Sequence, residues 1–385
     1  MVLLIISFST FAVGFIARPL GGIVFGHFGD RVGRKRTLVV ALMMMGVATT
    51  LIGLLPTYDS IGLAAPLCLV LLRFIQGLAV GGQWGGAMLL VTESAPADKR
   101  GWYGAYAQAG APMGVILANL AFISVSASMS DEAFLAWGWR LPFIASILLI
   151  AISLYIQLRM EDTEAFKALQ AEQAASPQQA VAERSPVFEA MRRYPRRILL
   201  AAGAFLSVQV TFYILIAFVI AYGLNSPTVD LTRDELLVSV LVAAAIMMPA
   251  QFYFSGLSDR VGRKQIYRWG AILTGIWGFA IFPLVDTGMP IMITLAVTMG
   301  MVLLGMQYGP QAAYFTELFA TEVRYSGASL GYQIGAILGG ALAPTIAVLL
   351  WQELGIIYVS VYILVAALLT LWCLSQLEET GGKAL

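Results

Sequence analysis

The segment Gly26-His27-Phe28-Gly29-Asp30-Arg31-Val32-Gly33-Arg34-Lys35-Arg36 returns 229 positions later as Ser255-Gly256-Leu257-Ser258-Asp259-Arg260-Val261-Gly262-Arg263-Lys264-Gln265, each copy set between long apolar runs. A short charged turn used twice between apolar segments constrains the chain to a duplicated helical unit in a membrane. The composition agrees: 385 residues, 59% hydrophobic and 12% charged, with a mean hydropathy of +0.82, lie outside the range of soluble domains. A hydrocarbon core of about 30 Å needs roughly 20 apolar residues per helix. Eleven stretches qualify, near 1–25, 38–56, 63–91, 102–128, 140–158, 198–224, 235–256, 269–285, 290–316, 326–350 and 356–377. The short alternating segments of a transmembrane barrel are missing, so the fold class is an all-α polytopic membrane protein.

Charge placement gives the orientation. Of the 23 Lys and Arg residues, 19 fall in alternate connections, beginning with the 26–37 turn. The positive-inside rule puts those connections and the C-terminal tail in the cytoplasm, at a bacterial-type cell membrane. A net charge of +1 implies no nucleic-acid partner. Cys68 and Cys373 sit in apolar spans and read as small core residues rather than a disulfide or a metal pair.

The polar stretch from Arg159 to Arg197 separates five spans from six and reads as a cytoplasmic linker. The expected organisation is a first half at 1–158, the linker at 159–197, and a second half with a short tail at 198–385. A second internal match supports the duplication: Glu93 and Arg100 align with Glu317 and Arg324 at an offset of 224, and Gln83-Trp84-Gly85 aligns with Gln307-Tyr308-Gly309. Parallel repeats of this kind are a transporter signature. Two spans precede Asp259 but only one precedes Asp30, so the first half is one helix short of the second. A signal-peptide reading of 1–25 fails, because no basic segment precedes it and Arg18-Pro19 interrupts its end. The expectation is a shortened reading frame or a mis-set start, with an eleven-helix protein as the alternative.

Gly26-x-x-x-Asp30-Arg31-x-Gly33-Arg34-Lys35, lying between two helices and echoed in the other half, resembles the loop signature of the major facilitator superfamily. Arg18-Pro-Leu-Gly-Gly22, Arg73-Phe-Ile-Gln76-Gly77, Trp137-Gly-Trp-Arg140-Leu-Pro-Phe143 and Thr321-Glu-Val-Arg324-Tyr-Ser-Gly327 narrow the resemblance to the metabolite:proton symporter family, whose members carry shikimate, α-ketoglutarate, citrate, proline or betaine. The resemblance covers nearly the whole chain apart from the linker, and its texture is nearest the shikimate type. It implies a twelve-helix-type fold of two pseudo-symmetric halves rocking about a midplane site, shown here with eleven helices. It also implies that Asp30, and less firmly Asp259 with Ser255 in place of the leading Gly, form a latch with a helix N-terminus and an Arg of the other half. Two departures stand out. Gln83 occupies the place of a customary Glu, and the first helix, which bears acidic and aromatic residues in relatives, is not in the chain.

Individual residues carry chemical signals of their own. Arg73 lies about 15 Å into its span, where an unpaired guanidinium is costly and a functional role is the default. At 100° per residue Arg73, Gln76, Val80, Gln83 and Trp84 share one arc, a polar stripe facing either a wet site or a packed hydrogen-bond cluster. Arg73 would bind an anionic substrate group or tune a proton site. Gln307, Gln311 and Tyr314 share a face of the matching helix. With Gln83 opposite Gln307, and Tyr308 beside it, the two helices would close a neutral midplane pocket or serve as packing glue. Arg18 either snorkels toward the headgroups or serves the pathway. Asp30, Arg31, Arg34, Asp259 and Arg260 read as solvated loop charges or gate residues. Glu93, Arg100, Glu317 and Arg324 read as structural charge networks at the inner gate, or as proton sites. His27, the one histidine, reads as local and structural.

The split Gly110-Ala111-Pro112 leans toward symport by comparison with antiporter relatives. No nucleophile–base arrangement, metal cluster or phosphate loop is seen, so an enzyme is not expected. The resulting reading is a monomeric secondary active transporter in a lipid bilayer. It imports a small organic acid or zwitterionic metabolite by alternating access, with the proton as coupling ion and no cofactor. A uniporter or exporter on the same fold, and a truncated non-transporting membrane protein, are the alternatives. No acid lies at mid-depth in the spans, so proton coupling follows from the resemblance alone.

Overall fold

The computed structural model describes residues 2–159 and 186–381; most of the expected linker lies outside the described residues. Eleven long helices account for the eleven apolar stretches. They are α1 (Val2–Arg31), α2 (Arg34–Leu54), α3 (Ala64–Ser94), α4 (Ala97–Ala127), α5 (Asp131–Ile156), α6 (Pro195–Asn225), α7 (Arg233–Val261), α8 (Arg263–Val285), α9 (Pro290–Glu317), α10 (Arg324–Glu353) and α11 (Ile357–Gln376). At 1.5 Å per residue each reaches about 30 Å or more, enough to cross a bilayer. The chain is a multi-pass helical membrane protein.

The duplicated turn explains two abrupt reversals. Only Val32 and Gly33 separate α1 from α2, and only Gly262 separates α7 from α8. Gly33 has φ 128° and Gly262 φ 112°, a conformation L side chains rarely adopt. The motif's second glycine is thus required by the backbone.

Packing is crossed between the copies. Within the first half α3 packs on α1 and α2; within the second α9 packs on α7 and α8. Between halves α1 meets α10, while α7 meets α4, its counterpart pair. Small residues let these helices close in. A Cβ added at Gly29 would lie 2.5 Å from the Tyr325 ring, and one at Gly101 would lie 2.7 Å from the Ser255 carbonyl. Gly101 is the repeat counterpart of Tyr325. The glycine that Ser255 replaces on α7 is therefore offset by a glycine on the facing helix. In the most apolar stretch of the α6 span two thirds of the residues are buried, whereas in those of the α4 and α5 spans 6% are. Cys373 is buried as expected; Cys68 instead lies exposed on α3, one turn from its start.

Candidate functional site

The basic turns gather on one face of the molecule, and their acids reach across it. Asp30, at the end of α1 and only 7% exposed, accepts hydrogen bonds from Ser326 N at 3.3 Å and Ser326 Oγ at 2.7 Å, in the first turn of α10. Asp259, at the end of α7, accepts from Gly101 N at 2.8 Å and Trp102 N at 2.9 Å, in the first turn of the helical run that starts at Arg100. Each acid thus caps a helix start of the opposite copy, where a carboxylate gains about 0.3–1 kcal/mol and up to ~2 when partly buried. Asp259 takes two main-chain N–H groups, whereas Asp30 takes one and a hydroxyl.

Buried charges back these caps. Arg263, 1% exposed, pairs with Asp259 at 2.5 Å and with Glu317 at 3.2 Å. Arg324 meets Glu93 at 3.4 Å, and Arg100 lies in the field of Glu317. The four residues join a charge network that crosses the halves, since Glu93 pairs with Arg324 of the other copy. The cause is local: α3 stops at Ser94, Pro96 follows, and a single 3-10 turn redirects the chain before Arg100. Arg31 and Arg260 are exposed and take no part in the crossed contacts, and the Arg34 side chain lies outside the described residues. His27 stacks edge-on against Phe28. Burial, and then Arg31, push its imidazole below the ordinary histidine value. Asp30→Asn is expected to keep ligand affinity within about twofold while slowing transport several-fold, because it loses a charge-assisted cap worth roughly 1 kcal/mol or more. Concentration series of uptake and of equilibrium binding would separate the two effects, and a large loss of affinity at an unchanged maximal rate would contradict the latch.

Further from that face lie two small cavities that share Arg18 and Val80. One, about 170 Å³, is lined by α1, α3, α4, α6, α9 and α10, chiefly by Gln209, Phe212, Tyr213, Tyr308 and Tyr332 around Arg18. The other, about 140 Å³, lies among α1, α2 and α3 and includes Arg73, Gln76 and Phe15. Arg18 is 13 residues from the end of α1, roughly 20 Å from the basic face and so near mid-depth. It does not snorkel. Its guanidinium carbon lies 3.7 Å over the Phe15 ring, and its buried Nε donates no hydrogen bond. Both cavities carry arginine, and no carboxylate is among their described lining residues. A wider hollow of about 700 Å³ opens at the helix ends opposite the basic face, between α4, α5 and α7, with Asp131, Trp139, Arg233 and Asp234 on its wall.

The polar stripe of α3 divides. Arg73, Gln76 and Val80 face the smaller cavity, with Gln76 Nε2 donating to Thr49 Oγ1 at 2.7 Å. Gln83 turns to α2 and donates to the Ala41 carbonyl at 3.3 Å. Gln307 likewise turns into its own half, donating to Thr274 Oγ1 at 2.8 Å, and Gln311 donates to Tyr267 Oη at 2.7 Å. Tyr314 Oη donates to the Glu378 carbonyl at 3.0 Å. The neutral pocket expected between Gln83 and Gln307 does not form, because a 100° arc on a helix meets two neighbours and these residues take the neighbour within their own half.

Trp84 and Tyr308 are linked across the interface through Gln108. Trp84 Nε1 donates to Gln108 Oε1 at 3.2 Å, and Gln108 Nε2 donates to the Tyr308 carbonyl at 2.9 Å. The Trp84 ring stacks on Tyr332 with centroids 4.1 Å apart. Gln108 and Tyr332, absent from the sequence-based candidates, are repeat counterparts at the same offset of 224 that relates Trp84 to Tyr308. Extending that alignment by 24 residues would have found them. Phe205, Gln209, Phe212 and Tyr213 carried no such signal. Gln108→Leu leaves the Trp84 indole N–H without its partner and frees the aromatic wall. Apparent affinity is expected to fall about three- to tenfold, since one such bond contributes about 1 kcal/mol; the check is half-saturating concentration against maximal uptake rate.

Comparison with known proteins agrees with this architecture. Residues 4–330 match the family model described as Major Facilitator Superfamily. The chain is 41% identical over 387 residues to the inner membrane metabolite transport protein YhjE of Escherichia coli, covering 98% of this chain and 85% of that protein. It is 40% identical over 342 residues to the shikimate transporter of Escherichia coli, covering 89% of this chain and 76% of that one. The proton:xylose symporter XylE superposes with a TM-score of 0.76 at 18% identity, over 97% of this chain and 86% of that one, a likeness of fold.

Proposed function

The chain belongs to the major facilitator superfamily and is a membrane transporter of metabolites, and from that premise we propose that it imports a small organic acid or zwitterionic metabolite together with protons. The observation that carries this reading is Arg18. Its guanidinium stands near mid-depth between two small cavities with its Nε unbonded, and a substrate carboxylate would complete it. Guanidinium and carboxylate pair bidentately, which suits Arg to this task. The aromatic residues around it would hold the body of the substrate by packing, and would hold a cationic group of a zwitterion by cation–π attraction.

Transport then proceeds by alternating access. In the form described, the Asp30 and Asp259 caps close the basic face, and the opposite face carries the wider hollow. Substrate and proton enter from outside, the halves rock, the two caps release, and both leave to the cytoplasm. We place the basic face and the C-terminus on the cytoplasmic side of the inner membrane, with the protein acting as a monomer and needing no cofactor. The lack of a carboxylate among the described cavity residues favours a second reading, proton-independent uniport or export, on the same fold.

The test is uptake of labelled small organic acids and betaine-like zwitterions by cells making this chain, with and without a protonophore. Protonophore-sensitive accumulation supports symport. Equilibration unaffected by the protonophore supports uniport, lowered accumulation relative to control cells supports export, and ligand binding without movement in either direction removes the transport reading.

A further inference from the structure

Beyond α11 the chain turns back along the basic face. The Glu379 carboxylate accepts hydrogen bonds from the backbone N–H of Arg263 at 2.9 Å and of Lys264 at 3.0 Å, capping the start of α8. It also accepts from Thr380 N and Gly381 N, which folds the tail onto itself. Thr380 is fully buried, and its hydroxyl donates to Glu317 Oε2 at 2.7 Å. Lys264 Nζ donates to the Leu377 carbonyl at 2.6 Å, and Arg197 pairs with the Glu378 carboxylate at 2.9 Å. A tail of five residues therefore touches α6, α8 and α9 at once.

These contacts converge on Arg263. Its N–H is held by Glu379, and its guanidinium is held by Glu317, whose other oxygen Thr380 satisfies. Arg263 in turn aims Asp259 at the Gly101 and Trp102 N–H groups of the other copy. We propose that residues 377–381 are an intramolecular strap that preorganises the Asp259 latch and so biases the carrier toward the form closed on its basic face. This rests on the alternating-access reading, and on no particular substrate. The physical basis is that ordering Arg263 and Glu317 in advance removes that entropic cost from the closing step. A buried ion pair is favourable only when its remaining lone pairs are satisfied, which is what Thr380 and Glu379 do.

The experiment places spin labels at Asp98→Cys, in the first turn of α4, and at Arg268→Cys, in the second turn of α8, exposed positions near the basic face in opposite copies, in a Cys68→Ser, Cys373→Ala background. Distances between them are measured by pulsed electron spin resonance in lipid nanodiscs. Thr380→Val is expected to raise the ratio of open to closed populations about three- to tenfold, the effect of one hydrogen bond. A chain ending at Leu377 should raise it further, and Thr380→Ser should match the parent. Glu379→Gln, at an exposed position that leaves packing intact, should shift the ratio in the same direction. Unchanged populations in Glu379→Gln and Thr380→Val, or a shift toward closure, would overturn the strap. If the parent moves no substrate of the panel but the populations shift, the strap stands and the transport reading falls; uptake with unmoved populations removes the strap alone.

Discussion

Arg18→Ala is expected to lower uptake about ten- to a hundredfold while leaving the protein in the membrane at its normal level. Charged hydrogen bonds contribute about 1.5–3 kcal/mol each, and each 1.4 kcal/mol is roughly a factor of ten. The protein makes no hydrogen bond to the Arg18 Nε, so its removal costs the fold little beyond the ring contact with Phe15. An Arg with an unbonded, buried Nε near mid-depth is otherwise costly to keep. Arg18→Lys should recover part of the rate but not the affinity, since an ammonium cannot offer the planar fork. Quantified membrane levels beside initial uptake rates make the test, and a normal rate in Arg18→Ala would move the binding site elsewhere, with Arg73 the next candidate.

Arg263→Ala is expected to have the largest effect on stability. The side chain is 1% exposed and lies between the carboxylates of Asp259 and Glu317, which are 7% and 0% exposed. Removing it leaves two acids buried side by side without a cation, and breaking a buried pair in this way costs about 3–5 kcal/mol. The purified variant should unfold several degrees lower on heating, and less of it should reach the membrane. Adding Glu317→Gln should restore part of the loss by removing one of the stranded charges. An unchanged unfolding midpoint in the single variant would mean that Arg100, which also lies in the field of Glu317, takes over the pairing.

The helices and the abrupt turns were legible in the sequence, because apolar length and a glycine between charged residues each answer to a local physical demand. The direction in which polar residues face was not. Gln83 and Gln307 sit at matching places in the repeat and were expected to face each other, yet each bonds inside its own half, to Ala41 and to Thr274. Periodicity gives the angle of a side chain around its helix, but which neighbour fills that angle depends on tertiary packing. Glu93 illustrates the same limit. Its repeated spacing pointed to a charge network without naming a partner, and the crossed packing of α1 with α10 and α4 with α7 supplies Arg324. Arg18 was ambiguous for another reason: its depth could be read, but whether a cavity lay beside it could not. The aromatic wall of Tyr213, Tyr308 and Tyr332 is built by three helices far apart in the chain, and only Tyr308 stood out beforehand.

The crossed caps also give the protein a sense of time. Asp30 emerges early in synthesis, but Ser326, which it grips, lies 296 residues later. Asp259 finds Gly101 already made, whereas Thr380, which reaches it through Glu317 and Arg263, is translated after all three. Until Ser326 is made Asp30 stands without its clasp, and until Thr380 is made Glu317 stands without its hydroxyl partner. Closure of the basic face therefore waits on residues of the second copy, and a chain released before Ser326 differs from a longer one by an open seam beside α1.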